Sequence, residues 1–215
     1  MQKYAAQNTL RLFDTSCRGT RTENYHERTG IYRTPMEQEP TFMEGKRICL
    51  ALDVASEKDA LQILDKVKGL VSVKIGKELF TSVGPSFVKQ IVDAGHPVFL
   101  DLKFHDIPHT VGGACAAAAR LGVAIINVHA LGGIAMMREA KKRVQEVSPG
   151  TKVIAVTVLT SHDKKQMFDE LKIHMPLEDY VVHLAKLAQK AGLDGVVASP
   201  QEASRIRAAC GKDYL

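Results

Sequence analysis

From Lys46 onward, short and nearly unbroken apolar runs alternate with longer stretches whose apolar residues recur every three or four positions. Arg47 to Asp53 (RICLALD), Leu70 to Gly76 (LVSVKIG), Pro97 to Lys103 (PVFLDLK), Val123 to His129 (VAIINVH), Lys152 to Leu159 (KVIAVTVL) and Asp194 to Ala198 (DGVVA) read as buried strands. The helical period predicts a first helix capped by Ser56, with Asp59 at its third position, running to about Lys68. Further helices are expected over Lys77 to Ala94 (interrupted at Gly84-Pro85), Val111 to Leu121 (opened by Pro108) and Ile134 to Val147. Three more follow: around Lys164 to Leu171, over Leu177 to Ala191, and over Gln201 to Ala209. Lys212 to Leu215 reads as the first residues of a seventh strand.

Apolar strands that are each followed by a helix indicate a parallel sheet covered by helices. A doubly wound open sheet is one such arrangement, but no G-x-G-x-x-G follows the first strand. Polar residues instead recur at successive strand C-termini: Asp53, Lys74, Asp101, Lys103, His129, Thr160 and Ser199. That habit belongs to (β/α)₈ barrels of the TIM type, which is the fold expected here. Such a barrel closes with eight strands, whereas six βα units and the start of a seventh strand are legible, so residues 45–215 are expected to form a single, incomplete barrel domain. Residues 1–44 carry no sustained apolar period and mix Arg11, Arg18 and Arg21 with Asp14, Glu23 and Glu27. They read as a poorly ordered leader rather than a transit peptide, with Met36 or Met43 as alternative starts.

Composition narrows the function. The net charge of +5 is scattered, there is no Trp, and aromatics make up only 6% of the 215 residues. A nucleic-acid interface would concentrate basic residues in a stripe interleaved with aromatics; the most basic run, Lys141-Lys142-Arg143, lies on a helix face instead. A mildly basic enzyme for small anionic substrates fits better. Cys17, Cys49, Cys115 and Cys210 are widely spaced and form no C-x-x-C pair, so neither a disulfide framework nor a zinc site is expected. No apolar run reaches the roughly 18–20 residues of a membrane span, and no signal-peptide core opens the chain. A cytoplasmic protein with no membrane partner is the expectation.

The densest chemistry lies in Asp101 to Thr110, DLKFHDIPHT, directly after the apolar run Val98-Phe99-Leu100. In a regular strand Asp101 and Lys103 share a face, and Asp106 follows in the loop that Ile107-Pro108 turns. Charges at the end of a buried strand are costly unless they serve a purpose; the alternative is a solvated strand end carrying an ion pair. His105, His109 and His129 with Asp106 are a candidate metal set, but Pro108 interrupts the helix that i, i+4 ligands would need, and no metal is expected. His162 and Asp163 are expected to begin a loop and cap the next helix, and Met136-Met137 to fill the core.

The stretch resembles, nearly residue for residue, the D-x-K-F-x-D-I-P-x-T signature of the orotidine 5′-phosphate decarboxylase family. The resemblance extends to A-L-D at 51–53, V-K-I-G-K-E-L-F at 73–80, N-V-H-A at 127–130, V-T-V-L-T-S at 156–161 and G-L-D-G-V-V-A-S-P-Q-E-A at 192–203. It implies a cofactor-free decarboxylase of orotidine 5′-monophosphate in which Lys74, Asp101, Lys103 and Asp106 form a charged network and Lys103 donates the proton. It further implies that Asp53 and Thr110 hold ribose hydroxyls, that Thr160 contacts the pyrimidine, that Pro200 belongs to the substrate-binding site, and that Asp106 and Thr110 reach into the site of a second subunit of a homodimer. The family continues with a seventh strand, a T-P-G-I-R-type loop, a phosphate-clamping Gln/Arg loop and a G-R-P turn, none of which follows Leu215. An inactive fragment or assembly module is therefore a second expectation, and a related metal-dependent hexulose-phosphate synthase or epimerase a third.

Overall fold

The computed structural model describes residues 48–67 and 71–215. The leader, Cys17, Met36 and Met43, and the strand and helix ends expected at Arg47, Lys68 and Leu70 lie outside the described residues. Strands and helices alternate from β1 to β5: β1 (Cys49–Ala51), α1 (Glu57–Lys66), β2 (Ser72–Gly76), α2 (Lys77–Asp93), β3 (Val98–Phe104), α3 (Pro108–Ala119), β4 (Ile125–His129), α4 (Gly133–Val147) and β5 (Lys152–Val156). Then come α5 (Lys164–Asp169), α6 (Leu177–Lys190), β6 (Gly195–Val197) and α7 (Ala203–Cys210). The strands form one six-stranded sheet in the order β1-β2-β3-β4-β5-β6, every pair parallel. Consecutive order is the winding of a (β/α) barrel; a doubly wound sheet would reverse direction at an inner strand. The chain thus forms six consecutive βα units of a TIM-type barrel. Of the expected seventh-strand residues Lys212 to Leu215, Lys212 and Asp213 form a turn, and Leu215 alone lies beside β6, donating its N–H to the Asp194 carbonyl and accepting from the Val196 N–H.

Local signals account for the ends of several elements. Ser56 caps α1 by accepting from the Asp59 N–H, and Asp163 caps α5 in a reciprocal capping box with Gln166. Gly84 (φ 76°) breaks α2 into two helical halves, the second opened by Pro85. β5 stops at Val156, three residues short of the expected Leu159; the Thr157 N–H makes the last ladder bond, to the Val197 carbonyl, and its hydroxyl donates to the same oxygen. The small face of α3 allows a close approach to α4: a Cβ on Gly112 would sit 2.9 Å from side-chain carbons of Arg143 and Glu139.

The two faces of the sheet differ in chemistry. Val73, Ile75, Val98, Leu100, Ile126, Val128 and Val153 pack against the helices in the main core, together with Met136 and Met137. The alternate positions face the barrel interior, where Phe99, Ile125, Ile154 and Val197 form a separate small cluster. Further along the same inner face, toward the strand C-termini, the side chains become polar: Lys74 on β2, Asp101 on β3 and Asn127 on β4. Among the described residues no helix is long and apolar enough to cross a membrane.

The opposite, N-terminal rim is fastened by Asp194, which accepts from the Val153 N–H at 2.7 Å and from Lys141 Nζ at 2.6 Å. Its other carboxylate oxygen lies 3.8 Å from Lys152 Nζ. The Lys141 and Asp194 side chains are 12% and 17% exposed, so removing one charge strands the other. Asp194→Ala is expected to lower stability by about 3 kcal/mol in urea unfolding. Adding Lys141→Met should recover part of that loss by removing the stranded ammonium.

Candidate active site

Four charged side chains meet at the C-terminal ends of β1, β2 and β3. Lys103 Nζ donates to Asp101 Oδ1 at 2.6 Å, and Lys74 Nζ lies 3.4 Å from Asp101 Oδ2. Lys74 Nζ also reaches Asp53 Oδ1 at 3.2 Å. The array therefore alternates in sign, Asp53–Lys74–Asp101–Lys103, and runs from an open rim to a closed floor: the Asp53 side chain is 69% exposed and that of Asp101 only 10%. Parallel register sets the spacing, since Ala51 pairs with Lys74, and Gly76 with Asp101.

A fifth residue, not anticipated from the sequence, closes the floor. Asn127 on β4 is fully buried, donates from Nδ2 to Asp101 Oδ1 at 2.6 Å, and accepts the Lys103 backbone N–H at 2.8 Å. Lys103 does not reach Asp101 by plain strand alternation, as expected from the sequence. Its φ is +53°, in the left-handed region, and the β3–β4 register shifts between Leu100 and Phe104. The two side chains meet across an irregularity in β3.

Burial raises the Asp101 carboxyl, but the hydrogen bonds from Lys103 and Asn127 and the two ammonium charges outweigh it and hold the group below its ordinary value. His129, at the end of β4, is pushed the other way for an imidazole: burial, then the nearby His105, Lys77 and Lys103, lower its pKa despite the opposing Asp101. Its Nδ1 is buried without a partner, and its ring lies 5.5 Å from that of His105. Among the described residues no group of three or more His, Cys, Asp or Glu stands together as a metal site.

The remaining expected site residues ring this floor without joining it. Asp106 and Thr110 are exposed at the β3–α3 turn, where Asp106 Oδ1 accepts the Ile107 N–H. Thr160 is exposed in the turn after β5, and Pro200 opens the short 3₁₀ turn after β6. None of the four has a hydrogen bond or ion pair to the array. Between the β4 and β5 ends lies a hollow lined chiefly by His129, Leu131, Thr157, Leu159, Met167 and Tyr180. The whole is an arrangement for fixing positive charge beside a carboxylate over a partly apolar floor.

Comparison with known proteins identifies the family. A family profile described as the Orotidine 5′-phosphate decarboxylase / HUMPS family matches residues 46–215. The orotidine 5′-phosphate decarboxylase of Nitrosococcus oceani is 48% identical over 174 residues, covering 80% of this chain and 75% of that protein. The Geotalea uraniireducens protein of the same name is 49% identical over 173 residues, covering 79% and 71%. The crystal structure of orotidine 5′-phosphate decarboxylase from Lactobacillus acidophilus aligns with a TM-score of 0.76 at 38% identity, covering 79% of each chain. An uncharacterized conserved protein from Geobacillus kaustophilus aligns with a TM-score of 0.75 at 42% identity, covering 78% of this chain and 80% of its own. The chain belongs to the orotidine 5′-phosphate decarboxylase / HUMPS family.

Because the folded value of Asp101 lies below its ordinary 3.8, its ionised form favours the native state. That contribution is complete above the ordinary value and is lost as pH falls toward and through the folded one. In urea unfolding between about pH 6 and pH 3, the parent should lose stability below about pH 4 more steeply than Asp101→Asn.

Proposed function

We propose that this chain decarboxylates orotidine 5′-monophosphate to uridine 5′-monophosphate, as a cytoplasmic homodimer whose active sites are completed across the interface. The observation that carries the reading is the Asp53–Lys74–Asp101–Lys103 array at the ends of three adjacent strands. Membership of the family and relatives named for this activity support it.

The chemistry asks for such an array. Breaking the C6–carboxylate bond leaves its electron pair on an sp² carbon whose orbital lies in the plane of the ring, outside the π-system. Without delocalisation, stabilisation has to come from fixed charge aimed at that carbon. A lysine ammonium supplies a compact positive charge and the proton that C6 takes up as CO₂ departs; the neutral amine then regains a proton from solvent. Lys103 suits that role better than Lys74. Each ammonium has three N–H groups; among the described residues Lys74 is held between Asp53 and Asp101, whereas Lys103 is held by Asp101 alone. In this reading Asp101 and Lys74 orient Lys103, and Asp53 meets a ribose hydroxyl from the open rim. Thr160, next to Leu159 of the apolar hollow, borders the pyrimidine, and Pro200 belongs to the substrate-binding site. Asp106 and Thr110, exposed and turned onto the first turn of α3, serve the second subunit's site, Asp106 adding a carboxylate to its charged network and Thr110 holding a ribose hydroxyl.

Two experiments test the assignment. Lys103→Ala should lower kcat for orotidine 5′-monophosphate, followed by ultraviolet absorbance, by at least about 100-fold, the scale of losing one preorganised electrostatic stabiliser. Parental turnover in that variant would remove Lys103 from the chemistry. For the shared site, Lys103→Ala and Asp106→Ala protomers are mixed in equal amounts and allowed to exchange. Half the dimers are then hybrids with one intact site of two, so activity should rise to about a quarter of the parental rate. Absence of recovery, with exchange verified, would place Asp106 in its own subunit's site or outside catalysis.

A further inference from the structure

We infer that Asn127 is a positioning residue for the reaction proposed above, its single carboxamide fixing both the rotamer of Asp101 and the left-handed backbone from which Lys103 projects. The catalytic consequence rests on the proposed function; the geometry stands without it.

Between the β3–β4 pairs Leu100↔Ile126 and Phe104↔Val128, the β3 residues Asp101, Leu102 and Lys103 all stand opposite Asn127. The ladder cannot serve every backbone group across that mismatch. The Lys103 N–H, turned aside at φ +53°, is accepted instead by Asn127 Oδ1 at 2.8 Å. The other end of the same amide donates to Asp101 Oδ1 at 2.6 Å, on the oxygen that also receives Lys103 Nζ. Flipping the amide would set its carbonyl against the carboxylate and its NH₂ against the Lys103 N–H, so one orientation alone satisfies the site. Asp lacks the donor, Leu lacks both groups, and Ser or Thr is too short to bridge the two partners. At 0% exposure, bulk water does not reach these groups. The Asn127 amide also opposes the effect of burial on Asp101, so its loss should make that carboxylate easier to protonate.

Asn127→Asp is nearly isosteric and keeps an acceptor for the Lys103 N–H, but it can donate to Asp101 only while its new carboxyl is protonated. Its kcat at neutral pH should fall at least about tenfold with KM changed far less, and should recover as pH is lowered. Asn127→Leu should lose rate at every pH. In that variant the Asp101 carboxyl carbon, followed by NMR, should titrate at higher pH than in the parent. A purely structural role would lower the unfolding temperature without moving the optimum of the folded fraction. Parental kcat and pH optimum in Asn127→Asp, with an unmoved Asp101 titration, would overturn the inference. Should Asn127→Leu fail to fold, the same two readouts on Asn127→Asp decide it. If the parent does not decarboxylate orotidine 5′-monophosphate, the functional reading falls, and the Asp101 titration still decides what Asn127 holds.

Discussion

The structure depends on keeping one carboxylate ionised where water barely reaches it. Asp101 is buried, and an ionised carboxylate in such a place is tolerated only when charge and hydrogen bonds replace its hydration shell. Three partners from three strands do so: Lys74 from β2, Lys103 from β3 and Asn127 from β4. The ionic cluster therefore sets a condition on the sheet, since these groups converge only if β2, β3 and β4 hold their registers. The sheet in turn makes the cluster affordable, because its outer face and lower interior are apolar and carry the stability.

The division of labour between the two rims follows from the same logic. At the N-terminal rim, Asp194 ties Lys141 and the Val153 N–H with its carboxylate largely covered, an arrangement in which every charge is answered inside the protein. At the C-terminal rim the answers are incomplete by design of the geometry. Asp53 is mostly exposed, and among the described residues Asp101 is the one side chain that takes a Lys103 ammonium N–H. The inner part of the array, Asp101 with Lys103 and Lys74, is already largely covered and oriented, so less reorganisation remains when a reacting group forms charge beside it. That difference, rather than the mere number of ion pairs, separates a site from a fastening.

Much of this was legible along the chain, and what was not has a physical reason. Strands such as Val123 to His129 and helices such as Leu177 to Lys190 have patterns long and regular enough to be read one element at a time. The members of the array were legible as charged residues toward the C-terminal halves of the first three strands, whereas their grouping into one network was implied by the family resemblance. The role of Asn127 was not legible: the residue stood in the N-V-H-A stretch that carries the family resemblance, but with no role attached. Its meaning lies in partners 24 and 26 positions away, and thus in a register that no local window contains. The left-handed Lys103 was hidden for a similar reason. Lysine carries no preference for positive φ, so nothing in the sequence around it marks the turn of the backbone.

The irregularity in β3 ties these points together. A regular strand would have put Asp101 and Lys103 side by side with side chains roughly parallel, both standing off the sheet. Slipping the ladder opposite Asn127 and turning Lys103 through φ +53° brings its ammonium instead onto the Asp101 carboxylate. A left-handed L-residue costs roughly 1–2 kcal/mol, and one buried hydrogen bond to the displaced N–H contributes about 1 kcal/mol net. The two nearly offset, so the conformation persists only while Asn127 supplies its acceptor and Asp101 its charge. Strain, amide and ion pair are thus one unit: each of the three is unfavourable or unsatisfied without the others, and all three bear on the same lysine.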